Sequence, residues 1–321
     1  MGGSVSLTAG QRATISPEAV TFLDNLTTHI PFADLLAPLL TKPSRISSFR
    51  KTLKERAGPN EERLIEKYNL KITQTLIAKV PVAVVEPPNI KPSKEHKILL
   101  NIFGGAFIMG SARDRTALLM AAEFGIRVYS ISYSLSPEVR YPVARDECLA
   151  VYRQLVQDHD PKNILGMSSS AGSQLMLSML LMAKKEGLPL PAGQYLCAPA
   201  AELSGDGDSM VSNASRDLMP TSFLIGMVKQ NYAHEEVDWR DPLYSPVYAD
   251  FEADFPSTVI TVGTRDCMLS SGVMLYWKLR EKGVKVELLV GEGMWHGFVW
   301  EEGLPEAVKV RGAVREFLES C

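Results

Sequence analysis

Three side chains in this sequence, Ser170, Asp266 and His296, could together carry out acyl transfer. A hydroxyl is a weak nucleophile until a neighbouring base takes its proton, and the base works best when an acid orients it. Ser170 lies in Asn163-Ile164-Leu165-Gly166-Met167-Ser168-Ser169-Ser170-Ala171-Gly172: an apolar run, then a cluster of tiny residues. A helix-like stretch follows over 173–184. This order predicts strand, sharp turn and helix, with the hydroxyl held out of the sheet at the turn. Small neighbours suit a strained turn that packs closely on itself. Serine-rich turns are common, so a merely flexible turn is the competing reading of this segment taken alone. Asp266, in Thr264-Arg265-Asp266, and His296, a few residues past Gly291-Glu292-Gly293, each follow a strand-like run. Asp266 also suits the N-cap of a helix over 269–282, a role compatible with orienting a base.

The negative charge that acyl transfer places on a carbonyl oxygen needs fixed N–H donors. Residues 97–103 read as a buried strand, followed at once by Gly104-Gly105-Ala106-Phe107. The N–H groups of Gly105 and Ala106, with that of Ala171 after the nucleophile, are the candidate oxyanion hole, and Gly104 makes the turn. A glycine turn with no ligand is the alternative for this stretch alone.

These segments together resemble the hormone-sensitive-lipase-like (family IV) esterases of the α/β-hydrolase superfamily. Phe103-Gly104-Gly105-Ala106-Phe107 is similar to the family's His-Gly-Gly-Gly/Ala stretch, and Ser168-Ser169-Ser170-Ala171-Gly172 to its Gly-Asp-Ser-Ala-Gly. Between them, Tyr133-Ser134-Leu135-Ser136-Pro137-Glu138 resembles Tyr-Arg-Leu-Ala-Pro-Glu, and Tyr141-Pro142-Val143-Ala144-Arg145-Asp146-Glu147 the run after it. Asp241-Pro242-Leu243-Tyr244-Ser245-Pro246, Gly263-Thr264-Arg265-Asp266 and Gly293-Met294-Trp295-His296-Gly297-Phe298 match the segments around the acid and the base. The order nucleophile, acid, base agrees with that superfamily.

The resemblance spans roughly residues 70 to 318. It implies a serine carboxylesterase acting on short- to medium-chain acyl esters or small lactones through an acyl-enzyme, with no cofactor. An acyltransferase, or a weakly catalytic or non-catalytic small-molecule binding protein on the same fold, are the alternatives. Plant gibberellin receptors of this kind have lost the histidine that His296 retains here. The expected substrate pocket involves Phe103, Phe107, Ser169, Phe223, Met227, Trp295 and Phe298. Three positions depart from the family pattern: Phe103 replaces a supporting histidine, Ser168 a glycine, and Ser169 an aspartate.

Strands are predicted over 97–103, 127–132, 163–167, 193–197, 257–262 and 284–290. Helices are predicted near 114–125, 142–158, 171–186, 269–282 and 305–319. Such alternation argues for an α/β fold: a mostly parallel central sheet with helices on both faces. Catalytic groups would then gather at the carboxyl ends of the strands. Alternation and β-branched residues over 70–87 suggest two further strands, as a hairpin. Apolar spacing over 17–40, through Val20, Phe22, Leu23, Leu26, Ile30 and Phe32, suggests amphipathic helices. A turn-rich start at Ser204-Gly205-Asp206-Gly207-Asp208 and a helical pattern near 220–233 interrupt the alternation. The expected organisation is an N-terminal part of a helical cap (1–45), a first core part (46–203), a cap insertion (204–238) and a second core part (239–321).

Over 321 residues, 45% are apolar and 22% charged, which fits an ordinary globular enzyme. A net charge of −3 gives no electrostatic case for nucleic acid. Cys148, Cys197, Cys267 and Cys321 form no metal-type spacing, so no metal is expected, and buried thiols suit a reducing, cytoplasmic setting. No apolar run approaches a membrane span. The start Met1-Gly2-Gly3-Ser4-Val5-Ser6 fits the myristoylation pattern at Gly2, although a cloning remnant reads the same way. The small-molecule ester is the expected partner, and the resemblance leaves a homodimer open.

Overall fold

The computed structural model describes residues 7–25 and 33–321. Leu26, Ile30 and Phe32 of the expected amphipathic helices, and Gly2 of the myristoylation pattern, lie outside the described residues. The chain begins with four helices: α1 (Ala9–Arg12), α2 (Pro17–Asn25), α3 (Ala33–Leu40) and α4 (Pro43–Tyr68). Strands β1 (Lys71–Ile77) and β2 (Val80–Glu86) then form the expected antiparallel hairpin. Its two-residue turn places Ala78 and Lys79 at φ 49° and 67°, a turn whose twist matches that of paired strands.

From here strand and helix alternate, as the hydrophobic pattern predicts. The order is β3 (Ile98–Ile102), α5 (Arg115–Phe124), β4 (Arg127–Ile131), α6 (Val143–Asp158), β5 (Ile164–Ser169), α7 (Ala171–Lys185) and β6 (Gly193–Cys197). The segment after β6 contains α8 (Ser209–Ser212) and α9 (Thr221–Met227). The chain closes with β7 (Ser257–Gly263), α10 (Leu269–Glu281), β8 (Val286–Gly291) and α11 (Pro305–Glu319).

The strands form one eight-stranded sheet in the order β1-β2-β4-β3-β5-β6-β7-β8. The pairings β1 with β2 and β2 with β4 are antiparallel; the others are parallel. Strands β3 and β5 are buried along their whole length, as strands covered on both faces must be. Ile98, Leu100 and Ile102 join a cluster with Leu175, Leu180, Leu275 and Leu279 on the α7 and α10 face. Leu99 joins Leu118, Val128, Met167, Val314 and Leu318 on the α5 and α11 face. Successive residues of one strand thus feed opposite layers.

Connections leave β3 toward β4 in one direction and β5 toward β6 in the other. The carboxyl ends of β3 and β5, paired from Ile98 with Ile164 to Ile102 with Ser168, therefore meet at a topological switch point. Open α/β sheets bind ligands in the crevice at such a point.

A third apolar cluster lies over this end of the sheet. It joins Ala106 and Ile108 after β3, Ala200 after β6, and Cys267 and Met268 after β7 to Ile46 of α4 and to Phe223, Leu224 and Met227 of α9. Helix α3 packs against α9, and Asn231 Nδ2 donates to the Thr41 carbonyl at 2.9 Å. Helix α4 runs uninterrupted through the boundary placed after residue 45.

Candidate active site

The turn after β5 has the conformation that holds a hydroxyl out of the sheet at a strand end. Ser170 adopts φ 49° and ψ −121°, between the last residue of β5 and the first of α7. A non-glycine residue at positive φ costs about 1–3 kcal/mol, so the surroundings must hold it. They do so through backbone pairing: the Ser170 N–H donates to the Cys197 carbonyl at 2.8 Å, and the Ala200 N–H donates to the Ser170 carbonyl at 3.1 Å. Gly172 allows the start of α7 to lie against β3, since a Cβ there would sit 2.1 Å from the Ile102 carbonyl oxygen.

The two serines before the nucleophile candidate are both buried. Ser168 is buried and its Oγ donates to Ser173 Oγ at 3.1 Å. Ser169 is 1% exposed and its Oγ has no partner among the described residues.

The loop after β3 comes directly against this turn. A Cβ on Gly104 would lie 2.8 Å from the Ser169 carbonyl oxygen and 3.1 Å from Ser170 Cβ. Gly105, Ala106 and Phe107 then take φ values of 122°, 51° and 65°. Three successive positive φ values turn the backbone, and the Ile108 and Met109 N–H groups close the turn on the Gly105 carbonyl, each at 3.0 Å. Among the described residues, the N–H groups of Gly104, Gly105 and Ala106 donate no hydrogen bond. Buried backbone donors are nearly always paired, so a glycine loop with free N–H groups beside a serine is suited to an anion.

Asp266 and His296 follow β7 and β8, two neighbouring parallel strands. His296 Nδ1 and Asp266 Oδ1 are 2.9 Å apart, with both side chains buried. Asp266 Oδ1 also accepts the Met268 N–H at 2.8 Å. Burial pulls the His296 pKa down, but the charge and hydrogen bond of Asp266, with the charge of Asp217, outweigh it and hold the pKa at about 9. Among the described residues, no hydrogen bond joins Ser170 Oγ to His296. Catalytic hydrogen bonds are often long in the ligand-free state and tighten when substrate binds.

Asp217 has no counterpart in the sequence reading. It belongs to the segment after β6, and no motif surrounds it. Asp217, Asp266, Cys267 and His296 bring ligand-type atoms within 4.8 Å of one another. A metal could use such a group, but His296 Nδ1 is committed to Asp266 and both Asp217 oxygens to backbone N–H groups. The Cys267 thiol is pushed well up by burial and by the nearby carboxylates, so it is a neutral packing group.

The expected pocket residues divide between layers. Phe223 and Met227 lie in the cluster over Ala106 and Met268, facing the loops just described. Phe103 stacks on Tyr133 with ring centroids 4.3 Å apart, and the Tyr133 hydroxyl donates to the Phe103 carbonyl at 2.9 Å. Phe107 stacks on Tyr232 at 3.6 Å. Both phenylalanines thus support the glycine loop from the core side. Trp295 and Phe298 sit in the cluster on the α11 face, Trp295 stacked on Phe22 of α2 at 4.4 Å. Their packing there is explained by the strand-end turn, which directs His296 one way and its apolar neighbours into the core.

Comparison with known proteins bears on the fold and the family. A family model described as the α/β-hydrolase fold matches residues 99–300. An ethyl acetate hydrolase of Pseudomonas putida is 28% identical over 229 residues, covering 68% of this chain and 71% of that one. The crystal structure of an esterase superposes with a TM-score of 0.90 at 28% identity, covering 98% of this chain and 97% of that one. A hormone-sensitive lipase from a metagenome library superposes with a TM-score of 0.71 at 26% identity, covering 86% and 98%.

Proposed function

The chain belongs to the α/β-hydrolase fold family, in its hormone-sensitive-lipase-like branch, and from that premise we propose that it is a serine carboxylesterase whose nucleophile is Ser170. His296 accepts the proton of Ser170 as Oγ attacks the ester carbonyl carbon. Asp266 holds the imidazole by Nδ1 and stabilises its positive form. The N–H groups of Gly105, Ala106 and Ala171 take the charge on the carbonyl oxygen, while Gly104 lets the loop reach the serine. The alcohol leaves with the proton held by His296. Water then attacks the acyl-enzyme with His296 again as base.

The single observation that carries this reading is the buried 2.9 Å contact of His296 with Asp266, formed past the ends of β8 and β7 in the same sheet whose β5 leads into a serine held at positive φ. The substrate is an uncharged ester with a short- to medium-chain acyl group. The apolar character of the cover supports this, since Ile46, Phe223, Leu224, Met227 and Met268 bring no charge to the loops. The first helices and the segment over 204–238 form the cap, a reading supported by the packing of α3 on α9. Four free thiols, three of them buried, support a cytoplasmic location.

The test is release of p-nitrophenol from the acetate and butyrate esters by the wild-type protein and by Ser170→Ala. Release by wild type alone supports the reading. Equal release by both overturns it.

A further inference from the structure

Of the two buried carboxylates in the segment after β6, Glu202 and Asp217, Asp217 is the one that bonds to the loops of the base and the acid. Asp217 is 7% exposed. Its Oδ1 accepts the N–H of His296 at 3.0 Å and that of Leu218 at 2.7 Å. Its Oδ2 accepts the N–H of Cys267 at 2.7 Å. One side chain therefore grips the backbone of the residue bearing the imidazole and of the residue next to Asp266. Asn213, one turn earlier, repeats the attachment: its Nδ2 donates to the carbonyls of Asp266 at 2.9 Å and Thr264 at 3.2 Å.

Three N–H groups favour the carboxylate form, and an anion there lies close to the imidazole and to Asp266. Two carboxylates then face one imidazole, and both favour its protonated state. The other charged groups nearby are Arg265, with its Nε on the Arg216 carbonyl, and Arg216 and Glu292 around it.

We propose that Asp217 is a positioning residue for His296, fastening the loops of the base and the acid to the cap segment and adding a second negative charge behind the imidazolium. The inference rests on His296 being the general base. Asp217 touches no substrate in this scheme; it acts through His296. The cap segment and the working base are consequently one structural unit, so that loosening the former disorders the latter. Burial and the charge of Asp266 raise the Asp217 carboxyl above its ordinary range, while His296 and the N–H donors oppose them, and the Asp217 charge in turn helps raise His296.

The experiment compares wild type, Asp217→Asn and Ser170→Ala in hydrolysis of p-nitrophenyl butyrate across the titration of His296. Asn is close in shape but has no charge, and its amide nitrogen cannot accept an N–H. The expected result for Asp217→Asn is a fall in kcat of about 10- to 100-fold with a much smaller change in KM. The acid limb of kcat/KM is expected to move to lower pH, because a negative charge near the imidazole has gone. A folded Asp217→Asn with a lowered melting temperature but an unmoved limb overturns the proposal, as does one with wild-type kcat.

Should Asp217→Asn not fold, hydrogen exchange on the wild-type protein decides the matter. The amides of Cys267 and His296 are expected to open together with the segment over 213–218. Their exchange independently of that segment overturns the proposal. Loss of activity in Ser170→Ala alongside an unaltered Asp217→Asn profile defeats only the role of Asp217. Hydrolysis surviving in Ser170→Ala defeats the reading of the site itself.

Discussion

The imidazole of His296 is pulled both ways, by burial that disfavours its charge and by carboxylates that favour it, and the carboxylates prevail. A base must be neutral to accept a proton from Ser170. The acid limb of kcat/KM is therefore expected to lie above the ordinary imidazole value, toward about 9, with activity rising as pH rises. Stability should move in the opposite sense. The folded pKa is raised, so the stabilisation is complete below the unfolded value of about 6.5 and is lost as pH climbs through about 9. Urea midpoints measured across that window check the sign. Phe103 supplies a second prediction. It is 2% exposed and stacked on Tyr133, so Phe103→Ala should cost about 3–5 kcal/mol of unfolding free energy. Ser170, Asp266 and His296 were legible as candidates because each stands in its own local sequence signal. Asp217 was not, since burial and a shared contact with two distant loops leave no mark in the residues on either side. Ser168 shows the converse: it departs from the family pattern in sequence, yet it is buried with its hydroxyl paired to Ser173.

Strand and helix positions followed from the hydrophobic pattern because the sheet is covered on both faces, and β3 through β8 fall within a few residues of the predicted runs. The element most exacting in its sequence is the turn into α7. Gly172→Ala would drive a methyl group to within 2.1 Å of the Ile102 carbonyl oxygen, and soluble yield and melting temperature should both collapse. Helix α4 matters for a different reason. Arg50 reaches from it to the carbonyls of Ile108 and Ser136 and pairs with Glu138 at 2.7 Å, so it braces the glycine loop from outside. Arg50→Ala is expected to reduce kcat for p-nitrophenyl butyrate about 10- to 100-fold, more than it raises KM, because a misplaced oxyanion loop hurts the transition state most. The sequence of α4 shows that it is rich in charge. It could not show which carbonyls Arg50 would meet, because those lie on loops distant along the chain.

At the scale of the whole molecule, function follows from where the strand order reverses. The glycine loop after β3 and the serine turn after β5 are neighbours only because the chain leaves these two strands in opposite directions. Asp266 and His296 arrive from the ends of β7 and β8, and apolar residues of α4 and α9 pack on the loops after β3, β6 and β7. Ser170 is 6% exposed and His296 7%, so both are largely shielded from solvent. The family and the sheet were legible from ordered motifs. The joining of the first helices to the segment after β6 was only outlined, since it depends on packing between parts of the chain that share no motif. The central claim is that one serine, activated by one histidine, becomes acylated. A fluorophosphonate reacts with such a serine, and peptide mass spectrometry locates the adduct. The account predicts a single adduct on Ser170 in the wild-type protein, formed at least about 1,000-fold more slowly in His296→Ala. An adduct on Ser168 or Ser169, or labelling at the wild-type rate in His296→Ala, would contradict it.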